Sequence, residues 1–329
     1  MDLHEQSHLL RGILKSPHPL EDMIPSNQKS FLLYLLYYYE DIPESKKVVV
    51  NKIIKKLEKT TQVLLPLYKL GFEISVSLIG GSIRDLLLDK EDEIKDLDIL
   101  LSLDKLKMNK IFDDCPYVKY KEVFGKEILN YLNLADTHEL KYYSLIKYCL
   151  KDTNNISEYS LITNKTKSRY GSKSINENLG CLIKIEKEHD NDYPLDIMVT
   201  HLSVNDYVEK TVDFNICKAY LKFIDVKKFS NIPTDSYSFF NNIVVTKDFL
   251  TDAQKKEISL NMNLFNEEQI NHFMENHYPQ LTKKYTDYNL NLIAGSNTKL
   301  LALKETYENK FRLDKILDSK EKVGNTYKV

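Results

Sequence analysis

Two aspartates stand two residues apart in an apolar segment, and buried segments of this kind rarely carry carboxylates. Asp96 and Asp98 belong to "DLDILLSL", whose alternation of apolar residues predicts a β-strand. On a strand both carboxylates leave the same face, about 7 Å apart, while Leu97 and Ile99 point into the core. Carboxylate oxygens are hard ligands that suit Mg²⁺. Two such ions about 4 Å apart form the clamp used for in-line phosphoryl transfer.

A third carboxylate lies in another apolar segment that reads as a strand. Asp196 is flanked by core-type residues in "PLDIMVT". If this strand pairs beside the strand of Asp98, the Asp196 carboxylate completes the metal site. One ion would then activate an attacking hydroxyl, and the other would hold a nucleoside triphosphate. The alternative is that Asp196 is a hairpin carboxylate that points to solvent.

A glycine pair precedes the first two carboxylates, where a predicted strand passes into a predicted helix. Gly80 and Gly81 lack Cβ, so a phosphate can approach the backbone closely. Ser82 is the expected N-cap of the helix, with Asp85 at the third position of a capping box. The free N–H groups of such a helix start attract an anion. Arg84 adds a cation one turn into the helix.

These features also have readings without function. The glycines alone fit an ordinary tight turn, because short glycine motifs match often by chance. Asp85 can serve as a capping residue only. Arg84 can pair on the surface with Glu91 or Asp92.

The combination resembles the DNA polymerase beta-like nucleotidyltransferase superfamily, and more closely the head domain of class II tRNA CCA-adding enzymes and bacterial poly(A) polymerases. Their pattern is an apolar strand, G-G-x-x-R-D, a short helix and D-x-D in a strand, which stands here between Gly80 and Asp98. The family then has a carboxylate strand and an R-R-D-F-T-I-N-A segment. The counterpart here is "TVDFNICKA", in which Asp213 and Phe214 match and Asn215 is close to the family asparagine.

The resemblance covers roughly residues 71–225, and the chain departs from the family pattern at several positions. Thr211 and Val212 stand where the family has two arginines, and Cys217 stands where it has an asparagine. The base-selecting E-D-x-x-R segment is not found. The interval between the two carboxylate strands is also long. The choice of base and acceptor is therefore left open. Asp213 can alternatively cap the helix that follows it.

The resemblance implies an α/β (α+β) fold with a mixed β-sheet, flanking helices, and helical N- and C-terminal regions. It implies template-independent transfer of a nucleoside monophosphate from an NTP, ATP first, to an acceptor hydroxyl such as an RNA 3′ end. Two Mg²⁺ ions and release of pyrophosphate belong to that reaction. Catalysis and metal binding would fall to Asp96, Asp98 and Asp196. The nucleotide would be bound by Gly80, Gly81, Ser82, Arg84, Asp213 and Asn215.

The elements around these residues follow from hydrophobic periodicity. Helical spacing predicts helices over residues 28–39 and 45–70, the second ending at Gly71. Residues 105–150 are predicted helical, and "GCLIKIEKE" with "YPLDIMVTHL" predicts a hairpin. The expected organisation is an N-terminal arm with helices over 1–70, a catalytic domain over 71–226 and a helical domain over 227–329.

Composition limits the class of protein. The chain has 329 residues, 42% hydrophobic and 29% charged, with a net charge of −2. Any nucleic-acid surface must therefore be a local patch. Four cysteines without C-x-x-C argue against a zinc knuckle or a disulfide framework and favour a reducing compartment. The longest apolar run, Phe31 to Tyr39, is too short to span a bilayer, and no signal peptide is evident, so a cytoplasmic location is expected. Oligomeric state has no signature in the sequence.

Three further motifs carry weaker hypotheses. A loop with Lys165, Lys167, Arg169 and Lys173 is either a solvated loop or an RNA contact. The segment His277 to Tyr285 mixes aromatic and basic residues, as nucleic-acid surfaces and ordinary helix ends both do. The H-E-x-x-H match at residues 4–8 lies where no packed core helix is expected, so a zinc site is rejected there.

Two other functions stay open at this point. One is nucleotidyl transfer to a protein or small molecule instead of RNA. The other is a catalytically silent module that binds nucleotide or RNA. The intact D-x-D argues against the silent module.

Overall fold

The structure is a computed structural model, and it describes residues 42–114, 116–133, 137–151, 156–161, 178–187, 192–226, 232–255, 257–259 and 291–293. The helices are α1 Glu44–Lys69, α2 Gly81–Leu87, α3 Lys105–Asp114, α4 Tyr117–Phe124, α5 Ile128–Asn133, α6 His138–Lys151, α7 Val204–Thr211, α8 Ser236–Asn241 and α9 Lys247–Lys255, with 3₁₀ turns at Glu91–Glu93 and Asn215–Cys217. The strands are β1 Ile74–Ile79, β2 Leu97–Leu103, β3 Ile156–Leu161, β4 Leu179–Ile185, β5 Leu195–Thr200, β6 Ala219–Leu221, β7 Ile224–Asp225, β8 Ile243–Val245, β9 Glu257–Ser259 and β10 Asn291–Ile293.

One mixed sheet organises these elements. Its strand order is β3-β4-β5-β2-β1-β6-β8, and β7 pairs with β1 beside β6. Only β2 and β5 run parallel within it among the described strands, and all other neighbours are antiparallel. A parallel pair needs a long crossover, which the chain supplies through α3 to α6 and β3 to β4. The predicted mixed sheet with flanking helices is confirmed.

The main core lies on one face of this sheet. Leu97, Ile99 and Leu101 of β2 are fully buried there, and they belong to one cluster with the apolar face of α1. Residues of α1 recur at helical spacing toward this cluster, including Val50, Ile53, Leu57, Leu64 and Leu67. Burial of this stripe stabilises a helix whose outer face is rich in lysine.

The opposite face of the sheet is covered by a shorter helix. Val204, Tyr207 and Val208 of α7 pack on Ile79 and Leu100 in a second, smaller apolar cluster. The side chain of Ser203 caps this helix by accepting a hydrogen bond from the Asp206 N–H, at 3.1 Å. Helix α7 thus lies over the middle of β2, on the face from which Asp98 projects.

The described helices and strands largely follow the sequence-based predictions. Helix α1 ends at Lys69 and is followed by Gly71 at φ +98°, as the predicted stop requires. Strands β4 and β5 form the predicted antiparallel pair. The predicted helix over 28–39 lies outside the described residues, as do the basic loop over 165–173, the segment 277–285 and the H-E-x-x-H match at 4–8.

The region after residue 226 contains more than helices. Strand β8 lies at residues 243–245 and extends the main sheet by pairing with β6. Its apolar run Ile243–Val245 is too short to show a period, so the sequence could not separate it from its helical surroundings. The domain boundaries at 70 and 226 remain predictions.

No described helix combines the length and the apolar character that crossing a membrane would need.

A glycine in β4 tests how closely α6 packs on the sheet. Gly180 lies at a register shift between β4 and β5, and an added Cβ would overlap Tyr143 Oη. We expect Gly180→Ala to lower the free energy of unfolding by about 1–3 kcal/mol, as overpacked cores do. Urea unfolding measures it.

The matched control for this change is Gly81→Ala. A Cβ at Gly81 meets its nearest neighbour, Arg84 Nη2, at 3.5 Å, which is ordinary contact. Equal unfolding midpoints for the two variants would contradict the packing of Tyr143 against β4.

Candidate active site

The register of the sheet brings two of the predicted carboxylates side by side. Asp98 of β2 is the direct partner of Asp196 of the parallel strand β5. Neighbouring strands are about 4.8 Å apart, so the two side chains leave the same face as neighbours. Asp96 lies just before β2 and is exposed, while Asp98 is half-buried. The structure therefore places the three predicted carboxylates together at the beginning of β2 and β5.

The surroundings of Asp98 disfavour the charged form of its carboxyl group. Burial raises the pKa of the Asp98 carboxyl to about 7, and the neighbouring charges of Asp96 and Asp196 act on it in the same direction. Arg84 and a hydrogen bond from the Gly81 backbone N–H act in the opposite sense. Concentrated negative charge of this kind favours binding of a cation.

The glycine turn makes direct contact with Asp98. Gly80 has φ +75°, a conformation that favours glycine, and a Cβ there would stand 2.8 Å from Asp98 Oδ2. Gly80 is also the N-cap residue of α2. The glycine pair and the D-x-D motif thus form one structural unit, as the sequence suggested. The residue that must be glycine for geometric reasons is Gly80.

The predicted capping box at the start of α2 is wrong. The helix begins at Gly81 with Gly80 as its N-cap, two residues before the N-cap predicted at Ser82, so Ser82 lies inside its first turn. The Ser82 side chain is buried, and its Oγ has no hydrogen-bond partner among the described residues. Asp85 is also buried and is bonded to Arg84 instead of a helix-capping N–H. The helix begins earlier because Gly80, with its positive φ, serves as the N-cap. The preference of serine for N-cap positions could not predict this.

Arg84 lies in the interior and does not pair with Glu91 or Asp92, as its surface alternative required. Its Nε and Nη2 lie 2.7 and 2.6 Å from Asp85 Oδ1, and its Nη1 donates to Cys217 Sγ at 3.1 Å. The side chain is 4% exposed. Arg84 thereby ties α2 to the 3₁₀ turn Asn215–Cys217 and presents a positive charge near Asp98.

The segment matched to the family's D-F motif supplies two buried polar atoms. Asp213 Oδ1 and Asn215 Oδ1 have no hydrogen-bond partner among the described residues. The N-cap of the following 3₁₀ turn is Phe214, without a side-chain bond, so Asp213 does not cap it. Burial raises the pKa of Asp213 to about 7. Buried acceptors left without donors are commonly completed by a ligand or water.

Two residues near the carboxylates were missed by the sequence analysis. Tyr207 of α7 is buried, and the charges of Asp98 and Asp213 both act on its hydroxyl, whose pKa is raised mainly by burial. Lys184 of β4 is the register partner of Asp196, with its Nζ 3.7 Å from Asp196 Oδ2. The amphipathic spacing of α7 could have located Tyr207. The position of Lys184 beside Asp196 depends on the register of the β4–β5 hairpin, which the sequence pattern does not predict.

The carboxylates fit a divalent cation by their chemistry. Among the described residues, no three His, Cys, Asp or Glu side chains converge as one ligand set. Asp98 instead stands between two further carboxylates, each of which raises its pKa. Oxygen-only donors with a surplus of negative charge suit Mg²⁺. Asp196 already has a lysine partner, so its affinity for a metal is expected to be the weakest of the three.

A separate cavity of about 550 Å³ lies further along the same strands. Ser75, Ser102 and His201 are among its lining residues, and the three carboxylates are not. Ser102 is four residues beyond Asp98 on β2, and α7 packs on Leu100 between them. The cavity is therefore separate from the carboxylate site.

Several solved structures are similar to this chain at a low level. A tRNA-processing enzyme in an apo form is 15% identical, with a TM-score of 0.35 and 82% of this chain covered. The Thermotoga maritima CCA-adding enzyme complexed with tRNA is 12% identical, with a TM-score of 0.36 and 82% covered. A CCA-adding enzyme in complex with ATP is 12% identical, with a TM-score of 0.38 and 85% covered.

The chain spans 48%, 44% and 45% of the length of those three structures. Likenesses at these TM-scores do not establish a family. No family model matches the chain, and no curated protein matches it.

The Gly80 turn yields a testable prediction. Gly80→Ala forces a positive φ on a residue with Cβ and pushes that Cβ against Asp98 Oδ2. We expect the variant to bind NTP at least about tenfold more weakly, because the backbone and the Asp98 carboxylate move together. Titration of a fluorescent ATP analogue measures it.

Gly125→Ala is the control, since Gly125 at the end of α4 also has a positive φ, +83°, but an added Cβ there meets no atom of the described residues within 4 Å. Circular dichroism of both variants separates a local effect from unfolding. Unchanged nucleotide affinity in folded Gly80→Ala would remove the turn from the site.

The buried carboxyl of Asp213 predicts a pH dependence of stability. Its folded-state pKa of about 7 exceeds its ordinary value of 3.8, so the folded protein retains a proton that the unfolded chain loses. Its contribution to stability is therefore present below pH 4 and declines as pH rises to about 7. Asp213→Asn is neutral throughout, so we expect its Tm to equal wild type near pH 4.

At pH 8 the same variant should melt at least about 2 °C above wild type. Melts are recorded in EDTA, so that no divalent cation contributes. Asp98 titrates in both proteins and cancels in the comparison. A Tm difference that does not change with pH would contradict the buried, unpaired state of Asp213.

Proposed function

We propose that this protein is a nucleotidyltransferase that moves a nucleoside monophosphate from an NTP to an acceptor hydroxyl, with release of pyrophosphate. In this reaction the acceptor oxygen forms a bond to the α-phosphorus while the bond to the β-phosphate breaks. The hydroxyl proton is released. The observation that carries the proposal is the in-register pairing of Asp98 with Asp196, with Asp96 beside them and the Gly80 turn against Asp98.

Asp96, Asp98 and Asp196 are proposed to hold two Mg²⁺ ions. Bound Mg²⁺ would supply charge neutralisation at the phosphates and lower the pKa of the acceptor hydroxyl. The protein's own part is to fix the three carboxylates. Strand pairing does this for Asp98 and Asp196, and the Gly81 N–H orients the Asp98 carboxylate.

The nucleotide is proposed to bind at the start of α2. The close packing of Gly80 against Asp98 brings the backbone of the turn next to the carboxylates, where a triphosphate would lie. Ser82 Oγ is a buried hydroxyl without a partner in the described part of the chain, and it can donate to a phosphate oxygen. Arg84 adds a fixed positive charge, held in place by Asp85 and Cys217.

Asp213 and Asn215 are proposed to complete the nucleotide site. Each has a buried side-chain oxygen that no described group satisfies. Hydroxyl groups of a ribose, or the amino group of a base, are donors of the kind these oxygens need. ATP is the first candidate nucleotide. The buried Tyr207 hydroxyl lies near both the Asp98 and the Asp213 carboxylates.

The proposed acceptor is an RNA 3′ end, with residues 71–226 as the catalytic domain and 227–329 as a helical domain. Transfer to a protein or small molecule is the second candidate. A silent binding module is the third. Incubating the protein with each α-labelled NTP, Mg²⁺ and total RNA, then following label into RNA, protein and small molecules, separates the three.

Loss of a carboxylate should damage turnover more than nucleotide binding, because phosphoryl transfer depends on positioning and charge neutralisation. We expect Asp96→Asn and Asp98→Asn each to lower kcat by several orders of magnitude. Asp196→Asn should be milder, since Lys184 already compensates part of its charge. Incorporation of labelled NMP into acceptor is the measurement.

Asp114→Asn serves as the control, because Asp114 is exposed at the end of α3 and away from the site. Thermal melts monitor folding, and Asp98→Asn should melt at or above the wild-type temperature, because it relieves repulsion. Near-wild-type transfer by Asp98→Asn would remove this site from the reaction.

A further inference from the structure

A second groove opens at the end of the sheet where the two carboxylate strands, β2 and β5, begin. It has a volume of about 490 Å³, and its lining includes Lys52, Lys95, Glu186, Lys187, Asp192 and Tyr193. Lys95 immediately precedes Asp96, and Tyr193 lies three residues before Asp196. The Leu97 N–H donates to the Pro194 carbonyl at 3.0 Å, which joins the two strand starts. The groove and the carboxylates therefore lie at the same end of the sheet.

The cations of this groove come from three separate elements. Lys52 lies on α1, Lys95 precedes β2, and Lys187 follows β4. Among the described residues, Lys52 and Lys95 form no ion pair or hydrogen bond through their side chains. Lys95 and Lys187 are exposed, and Lys52 is partly exposed. Positive charge is thus available to a ligand in a chain whose net charge is −2.

Among the described residues, the acidic groups that line or adjoin the groove form no ion pair with Lys52 or Lys95. Asp192 forms an ion pair with the buried Lys56 of α1, which occupies its charge within the protein. Glu186 is exposed at the rim. Asp92 lies near enough to the Tyr193 hydroxyl to raise its pKa, in addition to the larger effect of burial. Lys52 and Lys95 therefore keep positive charges that no acid of the described residues pairs with.

An aromatic ring lies among these lysines. Tyr193 lines the groove and packs partly against the main core, so its ring is held in position. A positive groove with an aromatic ring is the arrangement that binds single-stranded nucleic acid, in which phosphates meet the cations and a base stacks on the ring.

We propose that this groove binds the backbone of a single-stranded RNA acceptor and leads its 3′ end past Asp96, at the start of β2. The assignment rests on the proposed function for the choice of RNA as acceptor. Lys52, Lys95 and Lys187 contact phosphates, and Tyr193 stacks on a base. Lys52 lies on the face of the sheet opposite Asp98. The bound RNA must therefore pass around the start of β2 at Asp96 to reach Asp98.

The test measures RNA binding separately from catalysis. The triple variant Lys52→Gln, Lys95→Gln, Lys187→Gln is compared with Lys119→Gln, Lys121→Gln, Lys126→Gln, which removes the same charge from exposed positions on and after α4. Binding of a fluorescein-labelled A12 oligoribonucleotide is followed by anisotropy without NTP or Mg²⁺, over a range of salt concentrations. Each full-length variant is melted to confirm folding.

We expect the groove variant to bind the oligonucleotide at least tenfold more weakly than the control. Its slope of log affinity against log salt should flatten by about 0.7 for each phosphate that a lysine no longer neutralises. Its KM for ATP should stay at the wild-type value. Tyr193→Leu should weaken RNA binding roughly tenfold, and Tyr193→Phe should restore it because the ring is retained.

Equal RNA affinity and salt slope in the two triple variants would overturn the proposal. So would a rise in the KM for ATP without a change in RNA affinity, which would make the groove a triphosphate site. Groove-dependent RNA binding without transfer of any NMP would sink the nucleotidyltransferase function and leave the groove standing. Transfer of NMP to a protein or small molecule, without RNA binding, would do the reverse.

Discussion

The parallel pairing of β2 with β5 is the constraint on which the rest of the structure depends. It sets Asp98 beside Asp196, and side chains alternate along a strand, so a slip of one residue would turn Asp98 into the main core. A parallel pair cannot be joined by a tight turn. The whole interval from α3 to β4 serves as the crossover, which explains why the two carboxylate strands are so far apart in the sequence.

The protein keeps this unfavourable group of charges in place by fixing the backbone around it. The Gly81 N–H and Arg84 stabilise the Asp98 carboxylate, and Lys184 stabilises Asp196. Two buried lysines of α1 hold the loops that lead into the carboxylate strands. Lys46 pairs with Asp89 before β2, and Lys56 pairs with Asp192 before β5. Helix α1 therefore contributes to the site without touching it.

Local patterns in the sequence predicted the elements well, and contacts between distant segments explain what they missed. Alternation located β2 and β5, because each has one face in the core. The N-cap of α2 was misplaced by two residues, since the contact between Gly80 and Asp98 decides where the helix begins. Arg84 was left without its partners for the same reason, because Cys217 is 133 positions away. Lys184 and Tyr207 reach the site only through register and helix packing.

The positions of α7 and the groove together determine how substrates could approach Asp98. Helix α7 packs on Leu100 and closes the sheet face on the side of Ser102, where the separate cavity lies. Approach from that side would require α7 to leave an apolar cluster, which exposes the side chains it buries. The beginning of the strands is not covered in this way, since Asp96 and Lys95 are exposed there. The Gly80 turn, proposed to bind the nucleotide, and the lysine groove, proposed to bind RNA, both lie at this open end of β2 and β5. Two substrates could therefore meet at Asp98 from different sides of the same end.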